Sequence, residues 1–206
     1  MKTVVIDYGA SNLKSVVKAL EAAGMDVSLS SSPAEAQDAD ALVLPGQGHF
    51  GQVMKAFLKS GFEPVVRSHI ENKKPFLGIC VGLQILLEGS EEAPDIAGLG
   101  IIKGQVKRFP NELSIPQMGW NQIKIDTSNP LLKNIADGAF VYFANSYYAS
   151  FSEQLTGSST QYGSINFQSA INDGFLNATQ FHPEKSQSVG LEILANFKTI
   201  AEGFKT

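Results

Sequence analysis

A single cysteine stands in the chain of 206 residues, at position 80, which excludes an internal disulfide. That usage suits a reducing compartment, so a cytoplasmic location is expected. Only three histidines are present, His49, His69 and His182, too few with one cysteine for a structural zinc centre, and no metal site is expected. Lysine and arginine number 16 against 20 aspartates and glutamates, a net charge of −4. There is no basic excess to hold a nucleic acid or an anionic membrane. No apolar run approaches the length of a membrane span. The opening Met1-Lys2-Thr3-Val4-Val5-Ile6-Asp7 is too short and too soon charged for a signal peptide. Repeats, low-complexity tracts and long linkers are also missing. What is there, 43% hydrophobic and 17% charged, has the balance of an ordinary globular protein, at a length for one domain over residues 1–206.

The first half alternates. Residues 3–8 are apolar and β-branched and read as a buried strand. Ser11 can cap a following helix whose buried stripe is Leu13, Val16, Val17 and Leu20, with Gly24 ending it. A short strand around Val27-Ser28-Leu29 precedes a short helix opened by Pro33. Residues 41–44 form a third buried strand, halted by Pro45. Helices are expected over about 51–60 and 63–72, then a strand over 76–79. This alternation predicts an α/β fold with an open, mainly parallel sheet flanked by helices. The second half changes character. Short strands are expected within 98–109, over 122–125 and over 139–143, with Ser146-Tyr147-Tyr148 as a continuation. One helical turn begins at Pro130. Strands from 161 to 181 surround turns at Gly163 and at Asn172-Asp173-Gly174, the latter a strong hairpin signal. An amphipathic helix over about 188–201 closes the chain, with Val189, Leu191, Ile193, Leu194 and Phe197 apolar.

The chain is organised around Pro75-Phe76-Leu77-Gly78-Ile79-Cys80-Val81-Gly82-Leu83-Gln84-Ile85-Leu86-Leu87. An apolar strand ends in the cysteine, glycines stand two residues to either side, and an apolar segment of helical length follows. This is the pattern of a nucleophile elbow. A Cβ at either glycine would crowd so tight a turn. A helix start presents free N–H groups and a dipole that favour a thiolate. The plain alternative is that Cys80 is a small buried hydrophobe.

A partner base decides between the two. The run Phe175-Leu176-Asn177-Ala178-Thr179-Gln180-Phe181 reads as a strand ending at His182-Pro183-Glu184-Lys185-Ser186. Proline fixes His182 and Glu184 two residues apart in an extended run. An imidazole there can take the thiol proton while the carboxylate holds its other nitrogen. Read without Cys80, the segment is only a polar turn. His49 is a rival base, but it follows Pro45-Gly46-Gln47-Gly48, whose glycines suit a loop supplying N–H donors to an oxyanion. His69, in a helix of mixed polarity, is surface or structural.

Gly78-Ile79-Cys80-Val81-Gly82-Leu83-Gln84 together with His182-Pro183-Glu184 resembles the class I, triad-type glutamine amidotransferases. The sequence is more narrowly similar to the glutaminase subunits of imidazole glycerol phosphate synthases. Asp7-Tyr8-Gly9, Asn12-Leu13, Pro45-Gly46-Gln47-Gly48, Gly89-Ser90-Glu91-Glu92, Met118-Gly119-Trp120-Asn121, Tyr142-Phe143, Ser146-Tyr147 and Lys185-Ser186 carry that likeness. It implies a flavodoxin-like amidotransferase fold with an open mixed, mainly parallel sheet. It implies Cys80 as nucleophile, His182 as base and then acid, and Glu184 as its orienter. Oxyanion donors would be the N–H groups of Val81 and of Gly46, Gln47 and Gly48. Gln84, Ser146 and Tyr147 would grip glutamine. Ammonia would pass to a separate cyclase subunit, a (β/α)8 barrel, which makes imidazole glycerol phosphate and aminoimidazole carboxamide ribotide in histidine biosynthesis. Asn12, Met118, Trp120 and Lys185 would face that cyclase in a heterodimer. No cofactor is implied for the glutaminase step.

The sequence departs from the family pattern at three positions. Gln47 stands where valine is usual in the oxyanion loop. Gln117, before Met-Gly-Trp-Asn, and Asn145, before Ser146-Tyr147, each replace a common histidine. None is a triad member. The same glutaminase chemistry serving another synthase, such as one aminating sugars, is the alternative. A scaffold without catalysis conflicts with an intact Cys80, His182 and Glu184. A cysteine protease or hydrolase of related fold would lack the Gly-Trp-Asn and Lys-Ser segments.

Overall fold

The computed structural model describes residues 1–10, 12–126, 129–153 and 155–204. The first half runs β1 (Lys2–Ile6), α1 (Leu13–Ala22), β2 (Asp26–Ser30), α2 (Pro33–Gln37), β3 (Ala41–Gly46), α3 (Phe50–Ser60), α4 (Glu63–Glu71) and β4 (Phe76–Cys80). Every residue of β3 and β4 is buried, as continuous apolar runs in the middle of a parallel sheet must be. The second half begins with a four-residue helix α5 (Val81–Gln84), then β5 (Gly89–Ser90), β6 (Gly104–Arg108), β7 (Gln117–Gln122) and β8 (Lys124–Ile125). A 3₁₀ turn at Pro130–Leu132 leads to β9 (Phe140–Asn145), β10 (Tyr147–Phe151), β11 (Thr156–Tyr162), β12 (Ile165–Asp173) and β13 (Leu176–Thr179). A second 3₁₀ turn at Pro183–Lys185 precedes α6 (Gln187–Gly203).

Among the described residues the main sheet has the order β2-β1-β3-β4-β13-β12-β11-β8. The strands from β2 to β13 pair in parallel, and those from β13 onward pair antiparallel. The mixed α/β architecture expected from the sequence is therefore observed. From β1 the chain steps one way to β2, then back past β1 to β3. Right-handed crossovers place α1 and α2 on opposite faces. The α3–α4 connection continues in the direction of α2 and shares its face, and α2 packs on α4 while α1 packs on α6. The reversal beside β1 and β3 opens a crevice at the carboxyl ends of the strands, where open α/β sheets bind ligands. Two smaller sheets, β10-β6-β5 and the antiparallel ribbon β7-β9, stand beside that edge.

Several local expectations are corrected. The first strand ends at Ile6, short of residue 8. Pro45 does not halt β3, which continues through Gly46. Pairing with β1 ends at Val43, so no ladder N–H is missed at the proline. The Pro45 carbonyl accepts from the Tyr8 hydroxyl at 2.9 Å. The apolar run after Cys80 is helical only as far as Gln84, because Ile85, Leu86 and Leu87 turn away to carry backbone bonds with Leu99, Gly100, Ile101 and Ile102. Within 98–109 only Gly104–Arg108 is a strand. Met118-Gly119-Trp120-Asn121 is itself strand β7, and β10 is a separate strand that leaves β9 to pair with β6. His182-Pro183-Glu184 enters a 3₁₀ turn, with Pro183 at the first position where its missing N–H costs nothing. In α1 Ala19 is buried and Val17 only partly so, and Leu191 of α6 is exposed. Ser11, expected as a cap, lies outside the described residues. No helix among the described residues is long and apolar enough to cross a membrane.

Candidate active site

Cys80 closes β4 with φ 53° and ψ −110°, a backbone state that L residues rarely occupy. Such a conformation costs about 1–3 kcal/mol and persists only when its surroundings impose it. The surroundings here are backbone against backbone. A Cβ on Gly82 would lie 1.9 Å from the Leu44 carbonyl oxygen, and one on Gly46 would lie 2.5 Å from the Gly82 nitrogen. One on Gly78 would lie 3.1 Å from the Gly82 carbonyl oxygen. The glycines let the elbow sink into the end of β3, and the cysteine side chain is turned into the crevice.

The neighbouring parallel strand brings the histidine. Thr179 of β13 pairs with Ile79 of β4, so the segment leaving β13 passes alongside Cys80. His182, 2% exposed, hydrogen-bonds the Cys80 sulfur, and its Nδ1 lies 2.7 Å from Glu184 Oε1. The Glu184 side chain is itself 1% exposed. Burial alone lowers the imidazole pKa. The charge and hydrogen bond of Cys80, with the hydrogen bond and charge of Glu184, outweigh it and push the value up to about 10. The imidazole thus keeps its proton beside the Cys80 sulfur. The main chain is also clamped. His182 N–H donates to the Tyr142 carbonyl at 2.9 Å, and Ser186 Oγ donates to the His182 carbonyl at 2.7 Å.

The three residues open onto a cleft of about 390 Å³. Its lining gathers Gln47, Gly48, Val81, Gln84, Ser146 and Tyr147, all expected from the sequence, with Met118 and Lys185 at the same cleft. Gly46 does not line it; with Asn12 it borders a void of about 10 Å³ behind His182 and Glu184. Asn12 caps α1 in a left-handed conformation and accepts from Ser15 Oγ at 2.8 Å. His49, the rival base, caps α3 by accepting the Gly51 N–H on Nδ1 at 3.1 Å. His69 is structural: it is buried, and its Nε2 meets the Pro75 carbonyl at 2.9 Å.

One face of the β7-β9 ribbon turns outward. Trp120 pairs with Tyr142, Met118 with Ala144, and Gln122 with Phe140. Met118 is 69% exposed, Phe140 53% and Trp120 45%, a contiguous apolar stripe on the same ribbon that supplies Ala144 and Asn145 to the cleft. The Trp120 ring meets that of Tyr142 edge-on at 6.0 Å, and the Lys185 ammonium sits 5.7 Å over Tyr142. Lys185, Trp120 and Met118 therefore share one surface, while Asn12 lies apart from the cleft lining.

Four residues here were given no role by the sequence, although Tyr8, Glu92 and Ser186 lie in segments that carry the family likeness. Gln180 is fully buried, with Nε2 3.7 Å from Cys80 Sγ. Glu92 lines the cleft while its Oε2 accepts the Phe50 N–H at 2.7 Å, at the start of α3. Tyr8 pins Pro45, the root of the Gln47-Gly48 loop; burial, then the charges of Cys80 and Asp7, hold its phenol well above the ordinary range. Ser186 clamps the histidine segment. Gln180, outside those segments, still carried a local signal: an uncharged polar residue following a buried strand, next to His182. No group of acidic, histidine and cysteine residues suited to a metal ion occurs among the described residues.

The class-I glutamine amidotransferase family matches residues 4–200. The imidazole glycerol phosphate synthase subunit HisH of Thermus thermophilus is 50% identical over 195 residues, covering 95% of this chain and 96% of that protein. The Deinococcus radiodurans protein of the same name is 48% identical over 200 residues, 96% of this chain and 93% of that one. The Aquifex aeolicus protein, again of that name, is 48% identical, with 100% of both chains covered. Among solved structures, a glutamine amidotransferase superimposes with TM-score 0.73 at 16% identity, covering 97% of this chain and 98% of that one. The glutaminase domain of Trypanosoma brucei CTPS gives 0.72 at 14%, covering 98% and 94%. These distant likenesses bear on the fold, and the close relatives bear on the family. The chain belongs to the class-I glutamine amidotransferases, among the HisH subunits of imidazole glycerol phosphate synthase.

Proposed function

We propose that the cleft hydrolyses the side-chain amide of glutamine and that the ammonia serves a cyclase subunit docked over it, in the imidazole glycerol phosphate step of histidine biosynthesis. The observation that carries the chemistry is the strained elbow cysteine hydrogen-bonded to a histidine whose Nδ1 lies 2.7 Å from a buried carboxylate. With Nδ1 engaged by Glu184, Nε2 is the nitrogen left to face sulfur. The Cys80 thiolate attacks the glutamine Cδ, and the carbonyl electrons move onto oxygen. Backbone N–H groups of Val81 and of the Gln47-Gly48 loop, which line the cleft, hold that oxyanion, with Gly46 serving only to let the elbow approach β3. His182 gives its proton to the amide nitrogen, the C–N bond breaks, and ammonia leaves a cysteinyl thioester. His182 then takes a proton from water, whose oxygen attacks the thioester. Glutamate departs and the sulfur is restored. Glu184 orients the imidazole and offsets its charge.

Gln84, Ser146 and Tyr147 are the substrate-side groups, and the Glu92 carboxylate suits the α-ammonium. Ammonia needs no metal or cofactor to leave. The apolar stripe with Met118, Trp120 and Lys185 is the docking face, with Asn12 beside the triad. The whole chain acts as one glutaminase domain in the cytoplasm, where one cysteine stays reduced. The deciding experiment is glutamate release from glutamine, with and without the cyclase subunit and its ligand, for wild type and Cys80→Ala. Stimulation that vanishes in the variant supports triad and partner together. Absence of glutamate release under every condition, with folding intact, rejects the reading.

A further inference from the structure

Gln180 links the nucleophile to the substrate side of the cleft through a hydrogen-bond chain whose direction is set by one backbone carbonyl. Gln84 Nε2 donates to the Tyr147 carbonyl at 3.1 Å. A carbonyl oxygen only accepts, so this end of the Gln84 amide must be nitrogen. The same nitrogen lies 3.1 Å from the Gln180 amide, which must therefore present oxygen to it. That leaves the Gln180 nitrogen on the other side, 3.7 Å from Cys80 Sγ, within reach of sulfur's larger radius. Both hydrogens of Gln84 Nε2 are then committed. Its Oε1 accepts no hydrogen bond from the described residues and is left at the cleft that Gln84 lines. Asn145 Nδ2 donates to the same Tyr147 carbonyl at 2.9 Å and so supports the anchor. Gln180 and Gln84 are 0% and 3% exposed, so water does not compete for these bonds.

We infer that Gln180 has two separable roles: its N–H stabilises the Cys80 thiolate, and its carbonyl fixes the Gln84 amide so that an acceptor faces the substrate. A hydrogen bond given to sulfur favours the charged over the neutral form. The fixed Gln84 oxygen favours a ligand that brings an N–H, as glutamine does and its hydrolysis product does not at that end. The two roles rest on the glutaminase reading, but the first is measurable without turnover.

The test uses Gln180→Glu and Gln180→Met, with thermal melts to confirm folding. Glutamate keeps an oxygen toward Gln84 and loses the donor to sulfur; methionine loses both at similar size. Alkylation of Cys80 by iodoacetamide at pH 7, in the isolated chain, should slow about tenfold in each variant, the scale of one charge-assisted hydrogen bond. In the complex, Gln180→Glu should lower kcat with KM for glutamine held near wild type, whereas Gln180→Met should also raise KM. Wild-type alkylation rates in folded variants would overturn the thiolate role whatever the glutaminase assay gives. Equal KM in both variants would overturn the positioning role. If Gln180→Glu fails to fold, the methionine variant alone decides the alkylation arm. Normal alkylation behaviour in a wild-type chain that never releases glutamate would instead reject the proposed function.

Discussion

The backbone N–H of His182 donates to the carbonyl of Tyr142, 2.9 Å away, and so ties His182 to the strand that carries the exposed apolar stripe. The tie is doubled: Tyr142 N–H donates to Ser186 Oγ at 2.9 Å, and that hydroxyl donates to the His182 carbonyl. Any displacement of β9 at Tyr142 moves the main chain on both sides of His182. A partner pressing on Trp120, whose ring meets Tyr142, would therefore have a rigid route to His182.

Ser186→Ala removes both side-chain bonds of that clamp and leaves Tyr142 N–H without its acceptor. Each net hydrogen bond contributes about 1 kcal/mol, so a loss of roughly 2 kcal/mol in denaturant unfolding is expected. Glutaminase kcat should fall more than KM, since no cleft contact is removed. Unchanged kcat with the stability loss present would show that the clamp holds the fold and not the geometry of the base.

Trp120→Ala strips the edge-on contact with Tyr142 and the 45% exposed ring from the stripe. The isolated chain should unfold within about 1 kcal/mol of wild type, as surface truncations do. Affinity for the cyclase should drop by at least about tenfold, the effect of truncating a central aromatic anchor. Titration calorimetry giving wild-type affinity would remove Trp120 from the interface.

Glu184→Gln keeps the size of the side chain but replaces the buried anion. The new amide can present N–H to Nδ1 and force the other tautomer, leaving no acceptor-ready geometry toward sulfur. A fall in kcat of about 10³-fold is expected, with far less change in KM. Activity within tenfold of wild type would mean that the 2.7 Å contact is structural only.

Gly82→Ala and Gly9→Ala separate close packing from backbone preference. Gly9 has φ 93° and open space where a Cβ would stand, so its cost is the left-handed conformation alone, about 1 kcal/mol. At Gly82 the added carbon meets the Leu44 carbonyl oxygen at 1.9 Å, and neither backbone can yield cheaply. A destabilisation of about 3 kcal/mol and loss of Cys80 alkylation are expected. Similar melts for the two variants would show that β3 and the elbow are not held against one another.

The residues that make the elbow were legible because each has a local reason. Gly78, Gly82 and the apolar run before Cys80 are demanded by the turn itself, and His182 with Glu184 sit in a proline-stiffened segment. The parallel first half was legible for the same reason, with β1, β3 and β4 being continuous apolar runs between helices. What failed to show was non-local. Pro45 reads as a stop, yet β3 passes through it because β1 has already ended alongside. The run Ile85-Leu86-Leu87 reads as helix, yet its backbone bonds go to residues 99–102. Gln180 and Ser186 matter through Gln84 and Tyr142, which are distant in sequence, and no window of the chain contains both partners.

His69 gives the fold an acid-sensitive element away from the cleft. Burial first, with Lys74 nearby and against the Pro75 hydrogen bond, lowers its pKa to about 4 from the ordinary 6.5. The folded state keeps the imidazole neutral where the unfolded chain would bind a proton. Stability is therefore fully present above about 6.5 and falls as pH drops toward 4, by about 3 kcal/mol in all. His182 does not contribute to that window. Its value is raised to about 10, so its stabilisation is complete below 6.5 and is lost only as pH rises toward 10. Urea unfolding of wild type and His69→Gln at pH 7.5 and pH 4.5 isolates the effect, because glutamine can still donate toward Pro75 but cannot take a proton. The wild type should lose more stability between the two pH values than the variant does, by roughly 2 kcal/mol. Equal losses would assign the acid sensitivity to other groups.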